Sequence, residues 1–103
     1  MAKYRTLTDA EIESALQEFK DWSLAGSKLK AAFVFASFRE AVAFLVRVAF
    51  EAEALDHHPE LGNVYSRVSF ALSTHDAGDR VTDLDVELAR RISAVARGFA
   101  RAG

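Results

Sequence analysis

The chain contains no cysteine, a single proline and only five glycines in 103 residues. Without cysteine it has no disulfide, no thiolate nucleophile and no thiolate metal site. The glycines stand singly, so no glycine-rich phosphate loop is present, and no serine occupies a Gly-x-Ser-x-Gly elbow. Any catalysis by this chain therefore has to use other side chains.

Long apolar runs are also missing. No segment approaches the roughly 20 uncharged apolar residues that cross a bilayer, and no apolar signal region follows the start at Met1. We therefore expect a cytoplasmic protein with no membrane partner. The formal net charge of −2 argues against wholesale phosphate binding, so no direct nucleic-acid contact is expected.

Half of the residues are apolar, and eight of them are phenylalanine. A chain of this length is expected to form a single domain over residues 1–103, with a compact but thin hydrophobic core. Oligomerisation would add buried surface to such a core. The sequence contains no internal repeat and no low-complexity segment.

Three helices are predicted by three capping boxes, in which a Ser or Thr side chain and an acidic residue three positions later satisfy free backbone amides. The pairs are Thr8 with Glu11, Ser37 with Glu40, and Thr82 with Asp85. The predicted helices end near Phe19, near Leu55 and near Arg97. The second, about Phe38 to Leu55, is apolar on most of its circumference, which predicts burial on more than one side.

Strands are predicted between the helices by alternating apolar residues. One strand has Leu29, Ala31, Phe33 and Phe35 on its buried face, and another has Val64, Val68, Phe70 and Leu72. The segment from Trp22 to Leu24, followed by Ala25-Gly26-Ser27, predicts the first arm of a hairpin. We therefore expect an α+β fold in the order α-β-β-α-β-β-α, with three helices on one face of an antiparallel sheet of about four strands.

All three histidines lie in the segment 57–75, among groups that exchange or orient protons at neutral pH. His57 and His58 follow the second helix, and Pro59 stops that helix. Glu53 lies in the last helical turn, and Asp56 precedes the pair. His75 follows a strand and is expected to face away from the core, so the histidines can meet at one rim of the sheet. This pattern favours acid–base chemistry.

Each of these residues also has a purely local interpretation. His75, followed by Asp76 and Gly78, is typical of a polar turn, and His-His-Pro is typical of a helix end. Asp85 is accounted for by its capping box, Glu53 by a solvated helix face and Tyr65 by an ordinary strand position. Imidazoles and carboxylates are zinc ligands as well, but adjacent histidines tend to point apart and no H-E-x-x-H pattern is present. The spacing therefore disfavours a metal site.

The order and spacing of these residues resemble the signature of the pterin-4a-carbinolamine dehydratase family. The matching residues run as Glu53-x-x-Asp56-His57-His58-Pro59-Glu60, Asn63-Val64-Tyr65, Leu72-Ser73-Thr74-His75-Asp76 and Asp85-x-x-Leu88-Ala89. Upstream apolar residues, including Trp22, Phe33 and Phe44, match the family's usual order, so the resemblance covers almost the whole chain. It implies an α+β sandwich that forms dimers or tetramers, binds a small pterin and needs no cofactor.

The resemblance also implies a reaction and roles for the site residues. The reaction is the dehydration of 4a-hydroxytetrahydropterin to quinonoid dihydropterin and water, which supports tetrahydropterin recycling. The catalytic histidines would be His57 and His75 for proton transfer and His58 for holding the pterin. The substrate-binding or orienting residues would be Glu53, Asp56, Pro59, Leu61, Thr74 and Asp85.

Two departures from the family pattern concern the site. Leu61 stands where many members have tryptophan after His-His-Pro-Glu, which removes an aromatic surface for the pterin. The turn from Gly78 to Val81 differs from the more usual glycine-leucine form. Two alternatives stay open: a protein-binding or regulatory dimerisation module using the apolar second helix, and an enzyme acting on another pterin, such as a molybdopterin-type compound.

Overall fold

The computed structural model describes residues 3–102, so the predicted domain extends beyond it by Met1, Ala2 and Gly103. Its elements are α1 (Asp9–Leu16), β1 (Ser23–Ala25), β2 (Lys28–Val34), α2 (Phe38–Leu55), β3 (Glu60–Val64), β4 (Arg67–Leu72) and α3 (Asp83–Ala96), with a 3-10 turn at His75–Ala77 before α3. The predicted order α-β-β-α-β-β-α is confirmed. Within these residues no helix combines the length and apolarity that a membrane span requires.

The four strands form one antiparallel sheet in the order β1-β2-β4-β3. Leu29 pairs with Leu72 and Phe33 with Val68, so the apolar alternates of β2 and β4 share one face. That face is buried under α2 and α3, while the opposite alternates, such as Lys30 and Arg67, are exposed. The predicted α+β class and antiparallel sheet are therefore confirmed.

Aromatic side chains fill the core between the sheet and the helices. Phe35 and Phe44 pack with their ring centroids 4.6 Å apart, and Phe33 lies 5.6 Å from Phe44. Trp22 joins this cluster and donates its indole N–H to the Ser93 hydroxyl at 2.9 Å. This bond connects the segment before β1 to α3 and satisfies the one polar group of the buried indole.

The helices begin where the capping pattern predicts. The capping boxes of Thr8 and Thr82 are complete, and the Ser37 hydroxyl accepts from the Glu40 amide. The first helix, however, ends at Leu16 rather than near Phe19. The amides of residues 17–19 donate to carbonyls three residues back, so the chain tightens into 3-10 geometry before it turns toward β1.

One predicted strand position is wrong. Val64 was assigned to the buried face of the strand that contains Val68, but it ends β3 and is 76% exposed. Tyr65 has a left-handed φ of 50° in the tight turn to β4, which breaks the alternation between the two valines. The Asn63 side chain bridges this turn by donating to the carbonyls of Tyr65 and Arg67. Val64 therefore belongs to the strand before the turn, and the shared parity of Val64 and Val68 did not reveal the turn between them.

Candidate active site

The C-terminus of α2 buries one of the adjacent histidines and leaves the other exposed. Asp56 adopts a left-handed conformation with φ 50°, the His57 amide donates to the Ala52 carbonyl at 3.0 Å, and the Asp56 amide donates to Glu53 at 3.1 Å. These two bonds form a Schellman motif, which ends the helix before Pro59 is reached. His57 is 9% exposed, whereas the His58 side chain is 63% exposed.

The segment after β4 forms the other side of the site. The Thr74 amide donates to the Arg80 carbonyl at 2.8 Å, which closes a loop around the 3-10 turn His75–Ala77. Thr74 is buried, while 92% of the His75 side chain is exposed. The loop thus presents one buried hydroxyl and one solvent-facing imidazole side by side.

Asp85 is fully buried at the start of α3 and connects these two segments. Its Oδ1 lies 2.6 Å from His57 Nε2. Its Oδ2 accepts from the Thr82 amide at 2.8 Å and from the Thr74 hydroxyl at 2.9 Å. The Thr82 hydroxyl lies 2.6 Å from that of Thr74 and completes the chain of hydrogen bonds. A buried carboxylate with every contact satisfied in this way is a rigid anchor.

Hydrogen-bond accounting identifies the tautomer of His57. Asp85 Oδ2 already accepts from an N–H and an O–H, and an aspartate in its ordinary ionised state can only accept. His57 Nε2 must therefore donate to Oδ1. In the neutral ring the unprotonated nitrogen is then Nδ1. In this tautomer Nδ1 is the nitrogen of His57 that can accept a proton.

The other two histidines also contact carboxylates, but at the surface. His58 Nε2 lies 2.8 Å from Glu53 Oε1, so the last turn of α2 orients this ring. His75 Nδ1 lies 3.2 Å from Asp79 Oδ1 within the loop after β4. Each of the three imidazoles thus has one nitrogen engaged by a carboxylate of residues 3–102.

The histidines line one cleft of about 260 Å³. Of the residues predicted from the sequence, this cleft is lined by Asp56, His57, His58, Thr74 and His75. Asp85 and Glu53 contact two of these histidines from behind. Two larger grooves flank α3, one beside α1 and one beside α2, and neither is lined by a histidine.

The structure does not bring every predicted site residue to this cleft. Leu61 is on β3 and half exposed, and it borders a shallow depression of the sheet with Lys30 and Ser69. Pro59 connects His58 to β3 without lining the cleft. Residues 59 and 61 therefore reach the histidines of their own chain only indirectly.

Sequence reasoning did not identify four residues that line the cleft: Tyr4, Ser73, Asp76 and Leu84. Ser73 and Asp76 flank the predicted Thr74-His75 pair, so their proximity follows from position in the chain. Tyr4 comes from the segment before α1, and no local pattern could have placed it there. Within residues 3–102 no group of three or more histidine and acidic side chains has the arrangement to hold a metal ion.

The chain is similar to known proteins along most of its length. Residues 5–95 match the family model described as pterin 4 alpha carbinolamine dehydratase. The chain is 55% identical over 89 residues to a provisionally named pterin-4-alpha-carbinolamine dehydratase of Opitutus terrae, covering 86% of this chain and 92% of that protein. A provisionally named counterpart from Mesorhizobium japonicum is 50% identical over 95 residues, covering 90% of this chain and 95% of its own.

A solved structure shows the same fold. The crystal structure of a transcriptional coactivator/pterin dehydratase from Brucella melitensis superimposes with a TM-score of 0.84 at 37% identity, covering 89% of this chain and 99% of that one. The match of sequence and fold extends over most of the chain. The protein therefore belongs to the pterin-4-alpha-carbinolamine dehydratase family.

Proposed function

We propose that this protein dehydrates 4a-hydroxytetrahydropterin to quinonoid dihydropterin and water, and so supports tetrahydropterin recycling. The observation that carries the proposal is the cleft lined by all three histidines, in a chain of this dehydratase family. Imidazoles are the side chains best suited to exchange protons near neutral pH.

The reaction requires two proton transfers. The bond between C4a and its hydroxyl oxygen breaks, and the oxygen leaves with the electron pair and takes up a proton to become water. A ring nitrogen loses a proton, and its electron pair completes the carbon–nitrogen double bond. Positioned acid–base catalysis contributes about 10²–10⁴-fold to such a step. Two imidazoles in opposite protonation states suffice.

His57 and His75 are assigned to these transfers. His57 has Nδ1 available and Nε2 bonded to buried Asp85, which suits it to accept the ring-nitrogen proton because the carboxylate stabilises the imidazolium that forms. His75 lies at the solvent-facing side of the cleft, where the leaving hydroxyl can be protonated and released as water. Asp85 orients His57 and does not itself exchange a proton in this scheme.

Pterin binding is assigned to the remaining predicted residues. His58, held by Glu53, can donate to or accept from the heterocycle, and Asp56 and Thr74 line the same cleft. Leu61, in β3, and Pro59, just before that strand, keep their proposed binding roles, although they lie outside the cleft of their own chain. The residues assigned to binding are those that the resemblance to the dehydratase family implies, so the proposed substrate is a pterin.

The proposed reaction is tested by the dehydration rate of 4a-hydroxytetrahydrobiopterin generated in situ, with and without the purified protein. We expect acceleration that is proportional to protein concentration and saturates with substrate. A folded wild-type protein that gives no acceleration would contradict this substrate. In that case the same assay with other 4a-hydroxytetrahydropterins separates an altered pterin specificity from a purely protein-binding role.

We also propose that the protein is a homodimer or homotetramer joined through the outer face of α2. Phe38, Val42, Val46 and Phe50 recur every four residues there and are 38% to 65% exposed. The opposite side of α2 is already buried in the core through Phe44 and Val48. Exposed apolar stripes of this kind mark association surfaces.

A second copy of this chain is the occupant that the outer face of α2 fits. The four apolar residues repeat at equal spacing, so two antiparallel copies related by a two-fold axis present the same stripe to each other. Arg39 lies near one end of this face and Glu53 near the other, so antiparallel packing brings opposite charges together. The face is thus complementary to itself in both shape and charge.

Replacing Val46 with glutamate is expected to dissociate the oligomer, because the charge would be buried at the middle of the joined faces. Light scattering coupled to gel filtration measures the change as a loss of mass, to the monomer from a dimer or to a smaller assembly from a tetramer. Val34→Glu, an equally large change on the exposed face of β2, is the matched control and should keep the wild-type mass. A monomeric wild type would contradict self-association through α2. The outer face of α2 would then be a binding surface for a different protein, as in the protein-binding or regulatory alternative.

A further inference from the structure

Three imidazoles line the cleft, and each contacts one carboxylate. Asp85 and Glu53 serve His57 and His58, and both belong to the sequence signature described above. The third carboxylate, that of Asp79, contacts His75 from the one turn where this chain departs from the usual family form. Asp79 is thus outside the set of site residues that the resemblance supplies.

The backbone conformation of the loop places the Asp79 side chain against His75. Gly78 and Asp79 both have left-handed conformations, with φ 75° and φ 60°. The Asp79 amide donates to the Thr74 carbonyl at 3.1 Å, and the Thr74–Arg80 bond closes the loop behind it. Aspartate adopts this conformation at an energetic cost that glycine would not incur. In return, the chain places a carboxylate oxygen 3.2 Å from His75 Nδ1.

The Lys28 ammonium lies near Asp79, but its hydrogen bond is with Glu60. The pKa of Lys28 is raised mainly by its hydrogen bond with Glu60, and more weakly by the charges of Glu60 and Asp79. The Lys28 ammonium lies 2.8 Å from Glu60 and is therefore held by that residue. Because 92% of the His75 side chain is exposed, packing restricts its rotation little. The bond to Asp79 is the contact that orients the ring.

We propose that Asp79 is a positioning residue for His75. Its carboxylate accepts the Nδ1–H of the imidazole in both protonation states, which turns Nε2 toward the pterin. The imidazolium then gives the leaving hydroxyl its Nε2 proton, and the neutral ring that remains keeps the Nδ1–H tautomer. The expected effect of Asp79 on kcat rests on the proposed function. The hydrogen bond and the tautomer do not, because both exist without substrate. Asp79 touches neither substrate nor reacting atoms, so it acts through His75 alone.

Two variants of Asp79 separate orientation from backbone effects. Asp79→Gly removes the carboxylate and suits the left-handed backbone, so folding is preserved. Asp79→Asn also tolerates this conformation, and its amide oxygen can still accept from Nδ1–H. Asp21→Asn removes a surface carboxylate that pairs with Arg101, outside the histidine cleft, and is the matched control.

The direct readout is the tautomer of His75, measured from its ¹⁵N chemical shifts in the neutral state, at a pH about two units above the ordinary imidazole pKa of about 6.5. We expect Nδ1–H in the wild type and in Asp79→Asn, and predominantly Nε2–H in Asp79→Gly. In the dehydration assay, Asp79→Gly should lower kcat by about 2- to 5-fold, the range of an exposed charged pair, with KM little changed. Asp21→Asn should match the wild type in both measurements.

The two readouts separate the possible failures. An Asp79→Gly variant that keeps the wild-type tautomer overturns the positioning role, and so does one that switches tautomer with an unchanged kcat. A wild type that shows the Nδ1–H tautomer but no turnover overturns the proposed function, because the hydrogen bond is then present without the reaction. A merely structural role for Asp79 would change stability and leave the tautomer unchanged.

Discussion

Replacing both His57 and His75 with alanine is expected to abolish the acceleration of pterin dehydration. Each imidazole is assigned one of the two proton transfers, and loss of a positioned acid or base costs about 10²–10⁴-fold. Because the two act in one reaction, the double variant should fall to the uncatalysed rate rather than to the product of two partial effects. The measurement is the dehydration rate of 4a-hydroxytetrahydrobiopterin generated in situ.

The two substitutions differ in what they do to stability, so each needs its own control. His75 is exposed, and His75→Ala should leave thermal unfolding unchanged. His57→Ala leaves buried Asp85 without its imidazole partner, at a cost of about 1–3 kcal/mol. His57→Gln is the better variant there, because its amide can still donate to Asp85 while it cannot take up a proton. Wild-type turnover by a folded His57→Gln/His75→Ala protein would contradict the assigned roles.

His58 supplies a contrast within the same cleft. It is assigned to pterin binding, and its ring is held by Glu53 at the surface. His58→Ala should therefore raise KM more than it lowers kcat, whereas His57→Gln should lower kcat with KM little changed. Steady-state kinetics of the two single variants measures this split. Equal losses of kcat in both would indicate that the adjacent histidines share one role.

The fold was predictable because local signals and the global arrangement agree. Thr8, Ser37 and Thr82 begin the three helices, and the apolar alternation of β2 predicts its buried face. The errors fall where backbone geometry overrides a side-chain pattern. The hairpin turn at Tyr65 separates Val64 from Val68, although the two valines have the same parity in the sequence. The 3-10 hydrogen bonds after Leu16 end α1 early, and no Gly or Pro in the sequence there predicts this end.

The candidate site was predictable where its residues are close in the chain, and much less so where contacts are distant. The pair His57-His58 and the later His75 were identified as candidates for one cleft, and the structure brings them there. The bond from His57 to Asp85 spans 28 positions, and the capping box alone gave Asp85 a sufficient role. In the structure Asp85 has both roles, since one oxygen caps α3 and the other holds the imidazole. Asp79 was missed because its effect depends on two consecutive left-handed residues.

Replacing Asp85 with asparagine is expected to lower kcat by about 10²–10⁴-fold with a smaller effect on stability. The Thr82 amide and the Thr74 hydroxyl still need an acceptor, so the asparagine oxygen takes the place of Oδ2. Its NH₂ group then faces His57 Nε2. A donor now meets a donor, and the ring must place its proton on Nδ1 instead. The nitrogen that faces the ligand can no longer accept a proton.

Comparison with two further variants isolates this tautomer effect. Asp85→Ala leaves three buried donors unsatisfied and should destabilise the fold by about 3–5 kcal/mol, so its loss of activity would be uninformative. Asp83→Asn removes a neighbouring carboxylate that accepts from the Arg5 amide, outside the hydrogen bonds of His57, and should keep wild-type kcat. The ¹⁵N shifts of His57 report its tautomer directly, and should change in Asp85→Asn alone. An Asp85→Asn protein that turns over at the wild-type rate would show that the role of Asp85 is limited to capping α3. Catalysis by His57 would then not depend on its hydrogen bond with Asp85.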